Sequence, residues 1–284
     1  MGRSTKLPLY VRVSAIGLAL SAAHAVAQQP ERTDNATLGV SATPDAEPAE
    51  GISAVVGAGP FFHPANEGAK NFKVAPFPLV DIRGLFDDRV FISTLRGIGV
   101  NIIDAGPFRA GVAVSYAGGR NSSDSPRLKG LSDVSGGPVA SGFMTYSIKP
   151  VAFEIKAQNI FGPNPGMTVT AGATASFSPI EGMRLSFGPE VTWADSRYDK
   201  TYFGVTPYEA SQAAADGNPL RPYSPGSGIK DVGFSATALY RLTDHWGLAA
   251  HVGLTELVGS AAKDSPLTQR SFQPSIAFGA TYKF

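Results

Sequence analysis

The last fourteen residues, Ser271–Phe284, read SFQPSIAFGATYKF and decide the fold. Every second residue is apolar or aromatic, and those between are small or polar. Because successive side chains of a strand point to opposite faces, this stretch is a strand with one apolar and one polar face. Its apolar row ends in Tyr282 and Phe284, and aromatic residues at the edge of an apolar band suit the level of the lipid headgroups. The stretch therefore favours the last strand of a membrane barrel over a strand of a soluble sheet.

The same alternation recurs from Gly51 to the C-terminus, and the number of such segments carries more weight than any one of them. The apolar rows suit a face turned to lipid, with Trp193 and Trp246 near row ends. Pro76 and Pro78 fall in one row and are expected to weaken its ladder, because proline has no N–H to donate. The clearest further rows are Phe108, Ala110, Val112, Val114, Tyr116 and Met183, Leu185, Phe187, Pro189, Val191, Trp193.

Connection lengths predict the orientation and the number of strands. Outer-membrane barrels place short turns in the periplasm and long loops outside. With both termini in the periplasm the strand count is even, which requires Val90–Ile103 to be two strands that reverse near Arg96. This predicts an antiparallel up-and-down barrel of about twelve strands. Ten result if Val90–Ile103 is one strand and Ile52–Ala58 lies outside the barrel. The short links are Arg83–Asp88, Asp104–Pro107, Lys149–Pro150, Pro179–Gly182 and Leu242–His245, and the long ones are Pro60–Asn71, Ala117–Gly136, Ile160–Thr168, Ala194–Gly228 and Val258–Arg270.

The chain divides into three parts by composition. Residues 1–27 read as a secretory signal peptide, with a basic start, a short apolar run and the cleavage pattern Ala25-Val26-Ala27. Residues 28–50 are Pro-rich with few large apolar groups and are expected to form a flexible periplasmic tail. Residues 51–284 are the barrel, addressed to the outer membrane of a Gram-negative bacterium. The formal charge of +1 gives no reason to expect nucleic acid as a partner.

The longest link, Ala194–Gly228, contains a helix signal. Thr206 can cap a helix, Pro207 suits the first helical position, and Glu209 completes a capping box. Several alanines follow and favour the helical state. The interpretation is a short helix in an extracellular loop, over or inside the barrel mouth, that stiffens the rim; a ligand-binding role is the alternative.

Charged side chains at inward positions make a second set of candidates. A buried charge needs a partner, and a narrow barrel needs filling, so these side chains are expected to form ion pairs in a closed lumen. The sharper alternative is a selective channel. The candidates are Lys73, Asp81, Arg83, Arg109, Glu154, Lys156, Arg184, Glu190 and Arg241.

The residues give no basis for catalysis. The chain has no cysteine, which excludes disulfides, thiolate metal sites and a cysteine nucleophile. His63, His245 and His251 lie in separate segments without metal-ligand spacing. Asp195, Tyr198 and Asp199 lack an evident histidine partner, and phosphate-loop and hydrolase motifs are missing. We expect a protein without enzymatic activity, cofactor or metal.

Seven segments carry a resemblance to known proteins: Pro76–Asp81, Arg96–Asn101, Trp193–Asp195, Thr201–Pro207, Gly228–Gly233, Tyr240–Trp246 and Lys263–Pro266. In this order, and over about Gly51–Phe284, they resemble the MipA/OmpV family of outer-membrane proteins. The resemblance implies an outer-membrane barrel that acts as a scaffold for peptidoglycan enzymes, a lytic transglycosylase and a penicillin-binding synthase. Other members look like surface adhesins or stress- and antibiotic-linked outer-membrane proteins, so a surface adhesin acting through the long loops is an alternative for this chain. No catalytic residues carry over.

Overall fold

The computed structural model describes residues 52–284, whose twelve strands close into one antiparallel barrel. Each strand pairs with its neighbours in sequence, and β1 pairs with β12 to close the sheet. The predicted signal peptide, 1–27, and tail, 28–50, lie outside the described residues. The strands are β1 Ser53–Pro64, β2 Phe72–Leu85, β3 Val90–Ser93, β4 Gly97–Ala105, β5 Phe108–Ala117, β6 Gly137–Ile148, β7 Val151–Ile160, β8 Gly166–Phe177, β9 Met183–Ala194, β10 Gly228–Arg241, β11 Trp246–Leu257 and β12 Phe272–Lys283.

The prediction of twelve strands is confirmed, and the count of ten is wrong. Val90–Ile103 reverses between β3 and β4, as the even count requires, and Gly97 adopts the left-handed φ of 89° that this tight reversal uses. Ile52–Ala58 belongs to the barrel, because β1 contains it from Ser53 on and continues to Pro64.

The helices lie in the long connections. They are α1 Ser196–Phe203, α2 Pro207–Ala215, α3 Ser260–Lys263 and one 3₁₀ turn, Pro126–Leu128. The sequence predicted α2 and missed α1 and α3. In the described part of the chain, none of these helices has the length and apolar character needed to cross a bilayer.

The outer face of the barrel carries exposed apolar rows, as the alternation predicts. Val114, Phe153 and Phe278 are each about half exposed or more, although they are large and apolar. At the end of the last strand, Trp246 and Tyr282 stack edge to face with ring centres 5.1 Å apart, beside Phe284. A closed sheet with an apolar exterior satisfies its backbone without water and is the β-architecture that crosses an outer membrane.

The two prolines of β2 do not weaken its ladder with β1, contrary to expectation. That ladder runs without a break from Ser53 opposite Arg83 to Pro64 opposite Phe72. Val80 turns its N–H and C=O away from β1, toward Thr94 of the β3–β4 turn. Pro76 and Pro78 share the parity of Val80, so their nitrogens also point away from β1. Pro76 and Pro78 therefore lie at positions whose backbone N–H is not needed for the hydrogen bonds between β1 and β2.

Candidate functional site

Three of the long extracellular connections pack together into one structure, which we call the cap and define as residues 118–136, 195–227 and 258–271. They bury a small hydrophobic core of their own above the barrel mouth, with Tyr223 packed against it. Gly130 touches α2 so closely that a Cβ there would lie 2.4 Å from the Cα of Ala213. The cap is therefore an ordered lid instead of a set of independent loops. Its core residues are Leu128, Leu131, Val205, Ala210, Ala213, Leu220 and Leu267.

Hydrogen bonds fix the cap segments to one another. The Asn218 side-chain amide donates to the backbone carbonyls of Arg127 (3.0 Å) and Lys129 (2.9 Å). The Tyr223 hydroxyl donates to the carbonyl of Ser260 at 2.7 Å, and the Ser265 hydroxyl to that of Phe203 at 2.6 Å. Each bond joins two different connections or two parts of one, so the cap holds its shape through long-range contacts.

Helix α2 begins with the capping box that its sequence suggests. The Thr206 hydroxyl accepts from the backbone N–H of Glu209 at 3.2 Å, and the Glu209 carboxylate accepts from the N–H of Thr206 at 3.0 Å. Pro207 occupies the first turn, and the N–H of Ser132 also donates to Glu209, at 3.2 Å. Burial acts to raise the pKa of Glu209, but these hydrogen bonds from Thr206 and Ser132 outweigh it and lower the pKa.

Replacing Thr206 by alanine should destabilise α2 by about 1 kcal/mol, because the helix loses its N-cap acceptor. Amide hydrogen exchange in α2 should speed up about fivefold, while exchange in the barrel strands stays unchanged. Ser211→Ala is the matched control, since Ser211 is an exposed hydroxyl in the same helix that bonds only to preceding carbonyls. Equal exchange in the two variants would contradict the role assigned to the cap residue.

Below the apolar core of the cap, α1 rests on the extracellular rim of the barrel. Tyr198 and Phe203 are buried in a second apolar cluster with residues of β6, β7, β9, β11 and α3. Gly166, the first residue of β8, permits this contact, because a Cβ there would lie 2.8 Å from the Cα of Tyr198. Asp195 caps the helix by accepting from the N–H of Tyr198 at 2.8 Å. Helix α1 is therefore the joint between cap and barrel.

A buried charge cluster lies under α1. Lys230 is 0 % exposed, and its ammonium forms an ion pair with Glu67 of the β1–β2 connection and a second with Asp231 at 3.3 Å. The Tyr198 hydroxyl donates to Glu67 at 3.3 Å, and the ammonium of Lys230 lies 5.0 Å from the centre of the Tyr198 ring. The cluster joins three distant parts of the chain, and Tyr198 is the member that α1 contributes.

Lys230 enters this cluster because β10 is irregular at that point. The register with β9 shifts between Ile229 and Asp231, and both Lys230 and Asp231 are buried. In a regular strand, neighbouring residues face opposite sides, and Lys230 would share the outward row of Val232. Sequence alternation therefore gave no sign of Lys230, although the pair Lys230-Asp231 stands in one of the segments that carry the family resemblance.

Inside the barrel, aromatic rings pack together and charged side chains pair with one another. Phe91 and Phe143 meet edge to face at 5.8 Å, over Gly99 and Gly111, which leave the space for the rings. The Arg96 guanidinium lies 5.0 Å above the Phe143 ring. A side chain at either glycine would collide with the ring above it, so the two glycines make room for the rings inside the barrel.

Of the nine charged residues predicted for the lumen, four lie inside the barrel, three of them buried and Glu154 half-buried. Asp81 accepts two hydrogen bonds from Arg83, at 2.8 and 3.2 Å. Glu154 pairs with Arg96 and accepts from Thr145 at 3.1 Å. Lys156 and Glu190 are buried, and Glu190 lies within electrostatic range of Lys156, Glu154, Lys230 and Asp231. The buried charges thus run from the lumen to the cluster under α1. The four are Asp81, Glu154, Lys156 and Glu190.

The other five lie nearer the two ends of the barrel. Lys73 pairs with Asp124 of the cap at the extracellular end. Arg109 contacts Asp104 at 2.7 Å and Arg241 contacts Glu181 at 3.7 Å, in exposed pairs at the periplasmic end. Arg83 is half-buried beside Asp81, and Arg184 is half-buried near the start of β9. The structure thus brings Asp81 and Arg83 together, and keeps Arg109 and Arg241 apart from the buried network.

The described residues include no cluster arranged for metal binding. Between residues 52 and 284 no group of three or more histidine, aspartate or glutamate side chains is arranged to hold a metal ion. His63 and His245 each form a hydrogen bond with a backbone carbonyl, and His251 forms one with the Thr237 hydroxyl. The charged cluster is built around an ammonium group, which occupies the position a cation would take.

Comparison with known proteins gives one match that covers most of the chain. A family model described as "MltA-interacting protein MipA" matches residues 56–284. A search of curated protein sequences found no match.

Among solved structures, the barrel is similar to the NanC porin, to the OmpT loop-deletion mutant of Vibrio cholerae and to the translocator domain of NalP from Neisseria meningitidis. The TM-scores are 0.42, 0.38 and 0.37, at 6 %, 7 % and 10 % identity. The NanC match covers 81 % of this chain and 100 % of NanC, and the OmpT match covers 82 % of this chain and 98 % of OmpT. The NalP match covers 99 % of this chain and 100 % of the translocator domain. At these scores the likenesses support no conclusion about this chain.

Proposed function

Because this chain belongs to the MipA family of MltA-interacting proteins, we propose that it is a non-enzymatic scaffold that holds peptidoglycan-remodelling enzymes at the outer membrane. The chain is an outer-membrane β-barrel of a Gram-negative bacterium. In the proposed role, its partners are a lytic transglycosylase, as the family description suggests, and a penicillin-binding synthase. The barrel supplies the anchor, and the periplasmic turns and residues 28–50 supply the contact.

The observation that carries a structural role is the set of paired charges and packed rings inside the barrel, beneath a packed cap. Charges inside the barrel pair with one another, as Glu154 does with Arg96, and the cap has its own apolar core. A buried ion pair and interlocked rings resist the passage of solutes and contribute rigidity. Such a barrel suits an anchor better than a pore.

The periplasmic surface offers features that a protein partner can use. The β2–β3 turn projects Phe86, which is 78 % exposed, and Phe86, Asp87 and Asp88 all adopt left-handed φ values. Two hydrogen bonds hold this strained turn. The N–H of Gly84 donates to the Asp88 carboxylate at 3.0 Å, and the Asn101 side-chain amide donates to the carbonyl of Asp88 at 2.9 Å. Strain of this kind persists where the surrounding structure fixes it, and it concentrates at functional sites.

A pull-down tests the scaffold proposal. The mature chain, residues 28–284, is folded into liposomes and presented with a purified lytic transglycosylase, and then with the synthase. We expect the transglycosylase to be retained and to recruit the synthase. A second protein that lacks residues 28–50 separates the contribution of the tail from that of the turns. Failure of the folded, full mature chain to retain the transglycosylase would reject the scaffold.

A small-solute channel is the second candidate, and the exposed arginines at the periplasmic end favour it. Arg109 and Arg241 stand there in ion pairs with Asp104 and Glu181, and charged side chains at a pore mouth select among ions. Single-channel recording in planar bilayers decides between the two functions. The scaffold proposal expects no stable conductance from the intact chain at neutral pH or below, whereas steady, anion-selective openings would establish the channel and displace the filled-lumen interpretation.

A further inference from the structure

Asp199, in the middle of α1, is a buried carboxylate that the cap and barrel leave without a hydrogen bond. Its residue is 0 % exposed, and within the described chain neither Oδ1 nor Oδ2 has a hydrogen-bond partner. Burying an ionised carboxylate without a partner is strongly unfavourable, whereas the neutral acid loses far less. The docked position of α1 therefore suits Asp199 with a proton.

The groups around Asp199 add to this preference. Glu67 faces it from the β1–β2 connection, and Lys230 and Asp231 face it from β10. Lys230 already pairs with both Glu67 and Asp231, so an ionised Asp199 would be a third carboxylate around one ammonium. Strand β8 contributes no charged residue to the contact. The remaining titratable or charged groups on α1 and on the segments packed against it are Asp195, Arg197, Tyr198, Lys200, Tyr202, Arg120, Tyr223 and Lys263.

We propose that α1 is a proton-dependent latch between cap and barrel, closed while Asp199 is neutral and released when Asp199 ionises. Release exposes the carboxylate to water and relieves its repulsion from Glu67 and Asp231. The cap would then lift at the α1 joint while its own core, which does not include α1, stays intact. This device is independent of the scaffold proposal and would operate with or without a partner protein.

The working range of the latch follows from the direction of the pKa shift. Burial, followed by repulsion from Glu67, raises the pKa of Asp199 from 3.8 to about 7. A raised acid pKa means that the docked state binds the proton more tightly than the released state. Docking is therefore strongest below the ordinary pKa, and weakens as the pH rises toward 7. In contrast, hydrogen bonds lower the pKa of Asp195, against the effect of burial. The contribution of Asp195 to the docking of α1 therefore changes only at more acid pH.

Thiol labelling of the folded protein in liposomes measures this equilibrium, because the chain has no cysteine. Ala262→Cys places a single thiol in the cluster that α1 covers, where the native residue is 0 % exposed. Its labelling rate is divided by that of Lys200→Cys, an exposed position on α1, at each pH. This ratio cancels the pH dependence of the thiolate and reports the fraction of molecules in which α1 is released, even when that fraction is small.

We expect the ratio to rise on the order of a hundredfold between pH 5 and pH 8, as a carboxyl with a shift of about three pKa units implies. With Asp199→Asn the ratio should stay within about threefold over this range, since no proton remains to be lost. Asp216→Asn, which removes an exposed carboxylate from the end of α2, should behave like the parent. A flat ratio in the parent, or the same rise in Asp199→Asn, would overturn the latch.

Glu67→Gln provides an independent check should Asp199→Asn fold poorly. Loss of the Glu67 charge removes a repulsion from Asp199 and frees Lys230 to attract it, and both effects lower the pKa of Asp199. The midpoint of the pH response should therefore move to lower pH. A midpoint that does not move would show that another group controls the release.

Discussion

Replacement of Lys230 by methionine is expected to destabilise the folded protein by about 3–5 kcal/mol, because it leaves Glu67 and Asp231 buried without their cation. Both carboxylates pair with Lys230, and all three side chains are buried. Methionine keeps the length of the side chain and its apolar stem, so the loss reports the charge rather than the packing. The effect should concentrate on the docking of α1, whose Tyr198 also contacts Lys230 and Glu67.

Urea unfolding in phospholipid vesicles, followed by tryptophan fluorescence, measures this loss. Lys200→Met is the matched control, since Lys200 is exposed on α1 and should change stability by less than about 0.5 kcal/mol. Adding Glu67→Gln to Lys230→Met should restore part of the loss, and the double-mutant cycle gives the coupling between the two residues. A Lys230→Met protein as stable as the parent would show that the cluster does not fix the cap.

Replacement of Gly59 by valine should prevent the barrel from closing, with a loss of more than about 4 kcal/mol, in the range reserved for severe structural clashes. Gly59 lies at the seam between the first and the last strand. A Cβ at this position would lie 1.7 Å from the carbonyl oxygen of Phe278 and 2.7 Å from the Cα of Gly279. Both atoms belong to the backbone of β12, so no rotation of a side chain can make room.

The matched control for Gly59→Val is Gly142→Val, at a strand glycine whose Cβ would meet nothing within 4 Å. Valine suits a strand, so this variant should fold as well as the parent. The readout is the fraction of protein that folds into liposomes and resists proteolysis of its strands. If Gly59→Val folds as efficiently as Gly142→Val, the close approach at the seam is not a requirement for closure.

Much of the barrel could be predicted from local sequence. The alternation in Ser271–Phe284 and its repeats depends only on the direction of neighbouring side chains, which a strand fixes residue by residue. The same holds for the capping box of Thr206 and Glu209, whose partners lie three positions apart. The count of twelve followed from a further local rule, the alternation of short and long connections, which forced the reversal between Val90 and Gly97.

The candidate site could be predicted only in part. Asp81, Glu154, Lys156 and Glu190 fall at regular inward positions, so alternation identified them. Lys230 was not predicted as an inward residue, because a bulge in β10 turns its side chain inward against the alternation. The burial of Asp199 on α1 could likewise not be predicted, because Asp199 becomes buried only through contact with distant strands.

The sequence by itself therefore determined the closed sheet, its apolar exterior, its orientation and the position of α2, because each depends on periodicity or on neighbours a few residues apart. Tertiary structure alone decided the cap and its joint with the barrel. Glu67 and Lys230 are 163 positions apart in the chain, and Tyr198 is 131 positions from Glu67. Contacts over such distances produce no periodic pattern in the sequence. They depend on which loops the closed barrel brings to one rim, and on which charged groups are desolvated there.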